Sequence, residues 1–134
     1  RAEEVHRRAQ ESPFRDDIVF TGFAPTDIIP TLYGGAEALI FPSLFEGFGL
    51  PILEAMACGV PVACSRRASL PEVAGEAGLL FEPEQAESIA ETMSRLALDD
   101  SLRRELREKG LVHAAGYNWR RTAEETLSLL KGLI

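Results

Sequence analysis

Residues 41–62 read Phe41-Pro42-Ser43-Leu44-Phe45-Glu46-Gly47-Phe48-Gly49-Leu50-Pro51-Ile52-Leu53-Glu54-Ala55-Met56-Ala57-Cys58-Gly59-Val60-Pro61-Val62. Their punctuation is that of a buried strand, a glycine-bearing loop and a helix. The strand ends at Pro42. The helix covers about 49–57, with Pro51 at its start and Gly59 at its end, the asymmetry expected of helix termini. Free backbone N–H groups near Gly49 and Leu50 then point out at the carboxyl edge of a sheet, where the positive end of the helix dipole favours an anion such as a diphosphate. Gly47 and Gly49, flanking Phe48, let the backbone come close to a ligand. Glu46 and Glu54 have seven residues between them. The first stands in the loop and the second about one helical turn in, so both can face one crevice. Ionised carboxylates only accept hydrogen bonds, which suits sugar and ribose hydroxyls rather than phosphates. On spacing alone the plainer account comes first: Glu46 is a loop carboxylate and Glu54 a favourable acid of the first helical turn, because strand, loop and helix with acids nearby are common in doubly wound folds.

Outward from this segment, short apolar runs alternate with amphipathic ones, the pattern of an α/β protein with an open parallel sheet flanked by helices. Upstream, 1–11 reads as the end of a helix. Ile18-Val19-Phe20-Thr21 is a short β-branched strand closed by Gly22, Thr26 caps a short helix reaching Tyr33, and 38–41 is a second strand. Downstream, 61–65 is a third strand. Ser69 and Glu72 are spaced as the capping box of a short helix, and 78–81 is a fourth strand. From about residue 84 the pattern is helix only, over 84–98, 101–115 and 119–133. In the first of these Ala86, Ile89, Ala90, Met93, Leu96 and Ala97 make one apolar face. The last three helices are expected to pack on the sheet edge or on a partner domain.

The chain has 134 residues, 46% of them hydrophobic, enough for one ordinary domain and too few for two. The net charge of −7 leaves no surplus of Lys and Arg to neutralise a polyphosphate backbone, so a nucleic-acid partner is excluded as an expectation. Cys58 and Cys64 lie in apolar surroundings and read as buried free thiols. No Cys-x-x-Cys or His pair exists, so no metal site is expected. No apolar run approaches the roughly 18 residues needed to span a bilayer, and the start is not that of a secretory signal. The reading is a cytosolic protein in a reducing compartment.

With Gly-Phe-Gly-Leu-Pro after Glu46 and with Glu54 opening Glu-Ala-Met-Ala-Cys-Gly-Val-Pro-Val, the segment resembles the paired-glutamate motif of the group 1 family (family four) of retaining glycosyltransferases. These have two facing Rossmann-like domains, the GT-B fold. The resemblance extends through Val19-Phe20-Thr21-Gly22-Phe23, Tyr33-Gly34-Gly35-Ala36-Glu37, Leu70-Pro71-Glu72-Val73-Ala74-Gly75, Ala77-Gly78-Leu79-Leu80-Phe81 and Asn118-Trp119, essentially the whole chain. It implies that 1–134 is a single partial domain, the C-terminal nucleotide-sugar-binding half of the fold. By the same resemblance Glu46 accepts hydrogen bonds from the donor sugar, and the backbone of Gly47, Phe48, Gly49 and Leu50 lies along sugar and diphosphate. Glu54 holds the ribose hydroxyls, Gly22 and Phe23 meet the base, and Ser43 lines the crevice. The implied reaction moves a hexosyl group from a nucleoside diphosphate to an acceptor with retention, without metal or organic cofactor.

Departures from the family pattern touch specificity. Glu37 stands where Asp is usual, and Arg67-Ala68-Ser69 where many members have a glycine pair. The Ser-bearing version before Leu70-Pro71-Glu72-Val73 is similar to that of mannosyltransferase-like members, which points to GDP-mannose as donor. Arg66 and Arg67 read as surface residues ahead of phosphate ligands. The family's basic Arg and Lys pair and its acceptor domain have no counterpart here, so the chain is expected to be truncated at its N-terminus. Donor binding without transfer is the expected capacity. Sheet edges left open invite dimerisation or segment exchange, and the family's lipid-linked acceptors imply a peripheral membrane position for a full-length protein. A nucleotide-sugar epimerase-like domain or a non-catalytic nucleotide-sugar-binding module is the alternative. A phosphorylase would need a cofactor lysine, and Lys109 and Lys131 both fall in exposed helical settings.

Overall fold

A computed structural model of the chain describes residues 2–133. Its centre is a three-stranded parallel sheet in the order β1 (Leu39–Phe41), β2 (Val62–Ser65), β3 (Gly78–Phe81). Register runs Leu39 to Val62 and Phe41 to Cys64 on one side, and Val62 to Gly78 and Ser65 to Phe81 on the other. β2 is buried at all four positions, as a central parallel strand covered on both faces must be. Alternation along it then assigns the layers. Val62 and Cys64 join Ile52, Leu53, Ala55, Met56, Leu70, Val73 and Ala74 in one apolar cluster. Ala63 joins Phe81, Leu96 and Leu106 in another.

The first layer is built by α3 (Leu50–Ala57) and α4 (Leu70–Ala74), the second by α5 (Ala86–Leu98). α6 (Asp100–Ala115) reaches both, through Leu106 on one side and Ala114 on the other. Gly110 allows this close approach, since a Cβ there would sit 3.2 Å from Met56 Cγ. The end of α3 is fixed by its own sequence. Gly59 takes a left-handed φ of +72°, its N–H donates to Met56 O at 2.9 Å, and Val60 N–H donates to Ala55 O at 3.0 Å. This is the paired closure of a Schellman motif, and it turns the chain directly into Pro61 and β2. Asp99 caps α6 by accepting from Leu102 N at 2.9 Å, and Asn118 caps α7 (Trp119–Lys131) by accepting from Arg121 N at 2.8 Å.

Several local expectations are corrected. Residues 18–21 form no strand; they follow a 3-10 turn at Arg15–Asp17, and Val19 is 80% exposed. The β-branched run has the propensity, but β1 ends the sheet on that side and no ladder reaches it. The next helix, α2, is Ile29–Gly34, starting around Pro30 rather than at Thr26, because proline fits the first turn and cannot follow one. Ser69 makes no capping hydrogen bond to α4. On α5 the buried residues are Thr92 and Leu96, with Ile89 packed beside them, whereas Met93, Ala86, Ala90 and Ala97 are exposed. The apolar stripe is thus narrower than its pattern predicts, since only one edge of the helix meets Phe81 and Leu106. α5 and α6 pack as expected, but α1 (Ala2–Glu11) and α7 bury no residue. No helix among the described residues is long and apolar enough to cross a membrane.

Both cysteines are free, but only Cys64 is buried; Cys58, at the end of α3, is half-buried. Burial pushes the Cys64 thiol up to about 11. Between the ordinary thiol range near about pH 8.5 and that value, the unfolded chain loses this proton while the folded chain keeps it. The contribution is therefore fully present at lower pH and declines as pH rises. Urea denaturation is expected to show a stability loss above about pH 9, approaching about 1.4 kcal/mol per pH unit from this group. Cys64→Ala should flatten that slope, and an unchanged slope in the variant would assign the loss to other groups.

Candidate functional site

The loop between β1 and α3 is held by side chains from both ends. The Ser43 hydroxyl lies 2.9 Å from Glu46 Oε1 and 3.2 Å from Phe45 O, donating its one proton between them and fixing the direction of the carboxylate. From the other side, Ser69 at the start of α4 lies 2.9 Å from Phe48 O and 3.1 Å from Glu46 O. This is where the expected capping serine has gone. Its hydroxyl serves the carbonyls of a loop some twenty residues away in sequence instead of its own helix. Both carbonyls lie within reach of that one hydroxyl, whose single proton is shared between them. No acceptor among the described residues takes a backbone hydrogen bond from the N–H of Gly47, Phe48, Gly49 or Leu50.

Gly49 sets the geometry of this turn. It precedes α3 with φ 107° and ψ 43°, a left-handed conformation that costs an L-residue about 1–2 kcal/mol. It is also buried, and a Cβ there would stand 2.7 Å from Leu70 Cδ2. Leu70 is itself fully buried, so it cannot retreat. Gly47, in contrast, has open space around it and no such backbone demand.

Glu54 projects from the exposed face of α3, across the helix from buried Ile52 and Met56. It lies beyond the first helical turn, which contains no acid, so the helix-dipole account of this residue lapses. Tyr33 Oη donates to its Oε2 at 3.4 Å. The phenol is held above its usual range by burial first and by the Glu54 carboxylate second. Nothing in the sequence marks Tyr33 as a functional residue: it lies 21 residues from Glu54, on a different helix, and no periodicity connects them.

The structure therefore brings Ser43, Glu46, Gly47, Phe48, Gly49 and Leu50 together with Ser69, and Glu54 with Tyr33. Gly22 and Phe23 are not tied to this group by any described hydrogen bond or ring contact. Gly22 has a φ of +63° in open space, and Phe23 is 91% exposed. Arg66 and Arg67 pair with Glu82, at 3.7 and 3.2 Å, in keeping with a surface role. A separate polar cleft of about 440 Å³ lies at the opposite, amino-terminal end of β1 and β2, lined by Gly35, Glu37, Cys58, Arg103 and Arg107 among others. There Arg103 is already engaged, donating to Ala97 O at 2.8 Å and pairing with Asp100 and Glu37. No cluster of His, Cys, Asp and Glu suited to a metal ion occurs among the described residues.

Gly49→Ala is expected to lower the unfolding free energy by about 2–4 kcal/mol, through backbone strain together with the clash on Leu70. Gly47→Ala should stay within about 0.5 kcal/mol of the parent. Urea melts of the two variants check this, and equal effects would show that the turn does not depend on Gly49.

The family model described as Glycosyl transferases group 1 matches residues 1–112. The chain is 42% identical over 114 residues to the O-antigen chain mannosyltransferase B of Escherichia coli, covering 85% of this chain and 30% of that protein. Among solved structures it is similar to the sucrose-phosphate synthase of Thermosynechococcus elongatus, with a TM-score of 0.88, 30% identity, and coverage of 98% of this chain and 34% of that one. It is also similar to the C-terminal domain of a glycosyl transferase group 1 family protein of Francisella tularensis, with a TM-score of 0.76, 30% identity, and coverage of 86% and 60%. The chain thus spans under a third of the mannosyltransferase's length. The matched fold and the extent of the family match agree with the sheet, turn and helices described above: the chain belongs to the glycosyl transferases group 1 family.

Proposed function

We propose that this chain is the donor-binding part of a retaining glycosyltransferase of the GT-B type, one partial domain over 1–134 that includes the helices from about 84. The observation that carries the reading is the β1–α3 loop. There a carboxylate oriented by Ser43 adjoins a run of unpaired backbone N–H groups at a helix start, with the carbonyls of Glu46 and Phe48 within hydrogen-bond reach of the Ser69 hydroxyl. Hydroxyls of a sugar need acceptors and a diphosphate needs donors; this loop offers both within five residues. Glu46 binds the donor sugar, Ser43 and the 47–50 backbone follow sugar and diphosphate, and Glu54, supported by Tyr33, holds the ribose. Gly22 and Phe23, both exposed, meet the base.

In the reaction, the bond between the anomeric carbon and the diphosphate oxygen breaks while the acceptor oxygen forms its bond on the same face. The acceptor's proton passes to the departing diphosphate. The protein's part is to stabilise charge growing on that diphosphate, an electrostatic task suited to preorganised N–H donors. Such chemistry calls for no side-chain base. The mannosyltransferase name of the 42% identical relative favours GDP-mannose as donor. The acceptor side belongs to a second domain, as it would in the longer relatives. The open edges of β1 and β3 favour association between copies.

Titrating this chain with GDP-mannose, UDP-glucose and ADP-glucose is expected to raise the melting temperature with one of them. Glu54→Ala should weaken that ligand about 10- to 100-fold, the loss of hydrogen bonds to a charged acceptor, without lowering the melting temperature of the free protein. In a longer protein that joins this domain to its acceptor half, Glu46→Ala should reduce turnover far more than stability. Absence of a shift with all three nucleotide sugars would overturn the donor-binding reading.

A further inference from the structure

Beyond the loop's own residues, a second contact reaches it from the far end of the chain. The Phe48 ring meets the Tyr117 ring edge-on, with centroids 6.2 Å apart and planes at 75°. Tyr117 follows α6 in a tight closure, its N–H donating to Ala114 O at 3.0 Å. Its ring also lies 5.4 Å from that of His113. His113 is in turn fixed: its Nε2 lies 2.8 Å from Val73 O on α4. A Cβ at Gly75 would stand 3.0 Å from His113 Cε1, so the approach of the imidazole depends on a glycine at a φ of +53°. α4 begins beside Ser69, whose hydroxyl holds the Phe48 carbonyl. Phe48 is thus gripped twice by one packed unit, through its backbone from the start of α4 and through its ring from the end of α6.

We propose that Tyr117 is a positioning residue for the donor loop. Its ring sets the Phe48 side of the loop, and hence the direction of the Gly47–Leu50 backbone, with His113 and Gly75 holding Tyr117 in place. This rests on the donor-binding reading above. The contact is made by ring edges and faces, which a phenylalanine reproduces. No described hydrogen bond uses the Tyr117 hydroxyl, so the ring and not the phenol carries the effect. Both rings are partly exposed, Phe48 at 44% and Tyr117 at 42%, so the contact bears on loop placement more than on the core.

The test is nucleotide-sugar titration of the chain carrying Tyr117→Ala, Tyr117→Phe and, as a reference for the site, Glu54→Ala, with GDP-mannose as the first probe and UDP-glucose as the second. Tyr117→Ala is expected to weaken binding about two- to tenfold, the range of an edge-on aromatic pair, and to shift the Phe48 ring proton resonances. Tyr117→Phe is expected to restore both. If Glu54→Ala weakens binding and Tyr117→Ala does not, the Tyr117 role is overturned and the donor site stands. If neither variant alters binding, the donor-site reading fails and the Tyr117 role fails with it. Equal losses in Tyr117→Ala and Tyr117→Phe would overturn the ring as the positioning element.

Discussion

The complete burial of Val62–Ser65 is the constraint from which the rest of this structure follows. A central parallel strand has no solvent face, so each of its side chains must find an apolar layer. Val62 and Cys64 require α3 and α4 on one side; Ala63 requires Phe81, Leu96 and Leu106 on the other. Small residues at 63 and 64 let those layers come close. Each fully buried side chain of the Ile52, Leu70 and Phe81 kind is worth about 1.5–3 kcal/mol relative to exposure. Exposed ion pairs such as Arg67 with Glu82 or Arg7 with Glu11 are worth at most about 1 kcal/mol each. The architecture is accordingly held by its two clusters, and the charged helix surfaces are free to vary.

Packing of this sheet also places the loop. Because α3 and α4 both lie on the Val62 and Cys64 face, the start of α4 stands next to the loop that leads into α3. Leu70 fills the space under Gly49, and the adjacent Ser69 reaches the loop carbonyls. One short helix therefore does two jobs at its first residues: an apolar side chain closes the core and a hydroxyl orients the loop above it. The same economy appears at Gly59, where the end of α3 supplies both the Schellman closure and the entry to β2.

Much of the fold was legible in the amino-acid order. The loop and helix at 47–57, the break at Gly59 and the strands read at 38–41, 61–65 and 78–81, each within a residue of its observed bounds, are written in local signals, namely glycine, proline and short apolar runs. The family resemblance of the Glu46–Glu54 segment rests on the same short-range pattern, and the family match agrees with it. Less of the site was legible. Ser69 had the spacing of a capping residue and a different role, because a hydroxyl takes whichever acceptor the tertiary structure brings near. Tyr33 and Tyr117 come to Glu54 and Phe48 from distant helices. Neither pairing leaves a trace in spacing.

Residues 18–21 and the helix over 86–98 mark the boundary. By itself the sequence determined that the chain is α/β, where the decisive turn lies, and that two carboxylates flank a glycine-bearing helix start, since these depend on backbone preferences and hydrophobic period within a few residues. Only the tertiary structure decided that Ile18–Thr21 makes no strand, that α5 buries Thr92 and Leu96 but not Met93, and that Ser69 holds the β1–α3 loop. A strand needs a neighbour to complete its ladder, a helix face needs a surface to cover it, and a hydroxyl needs an acceptor within about 3 Å; each of these is a relation between distant parts of the chain.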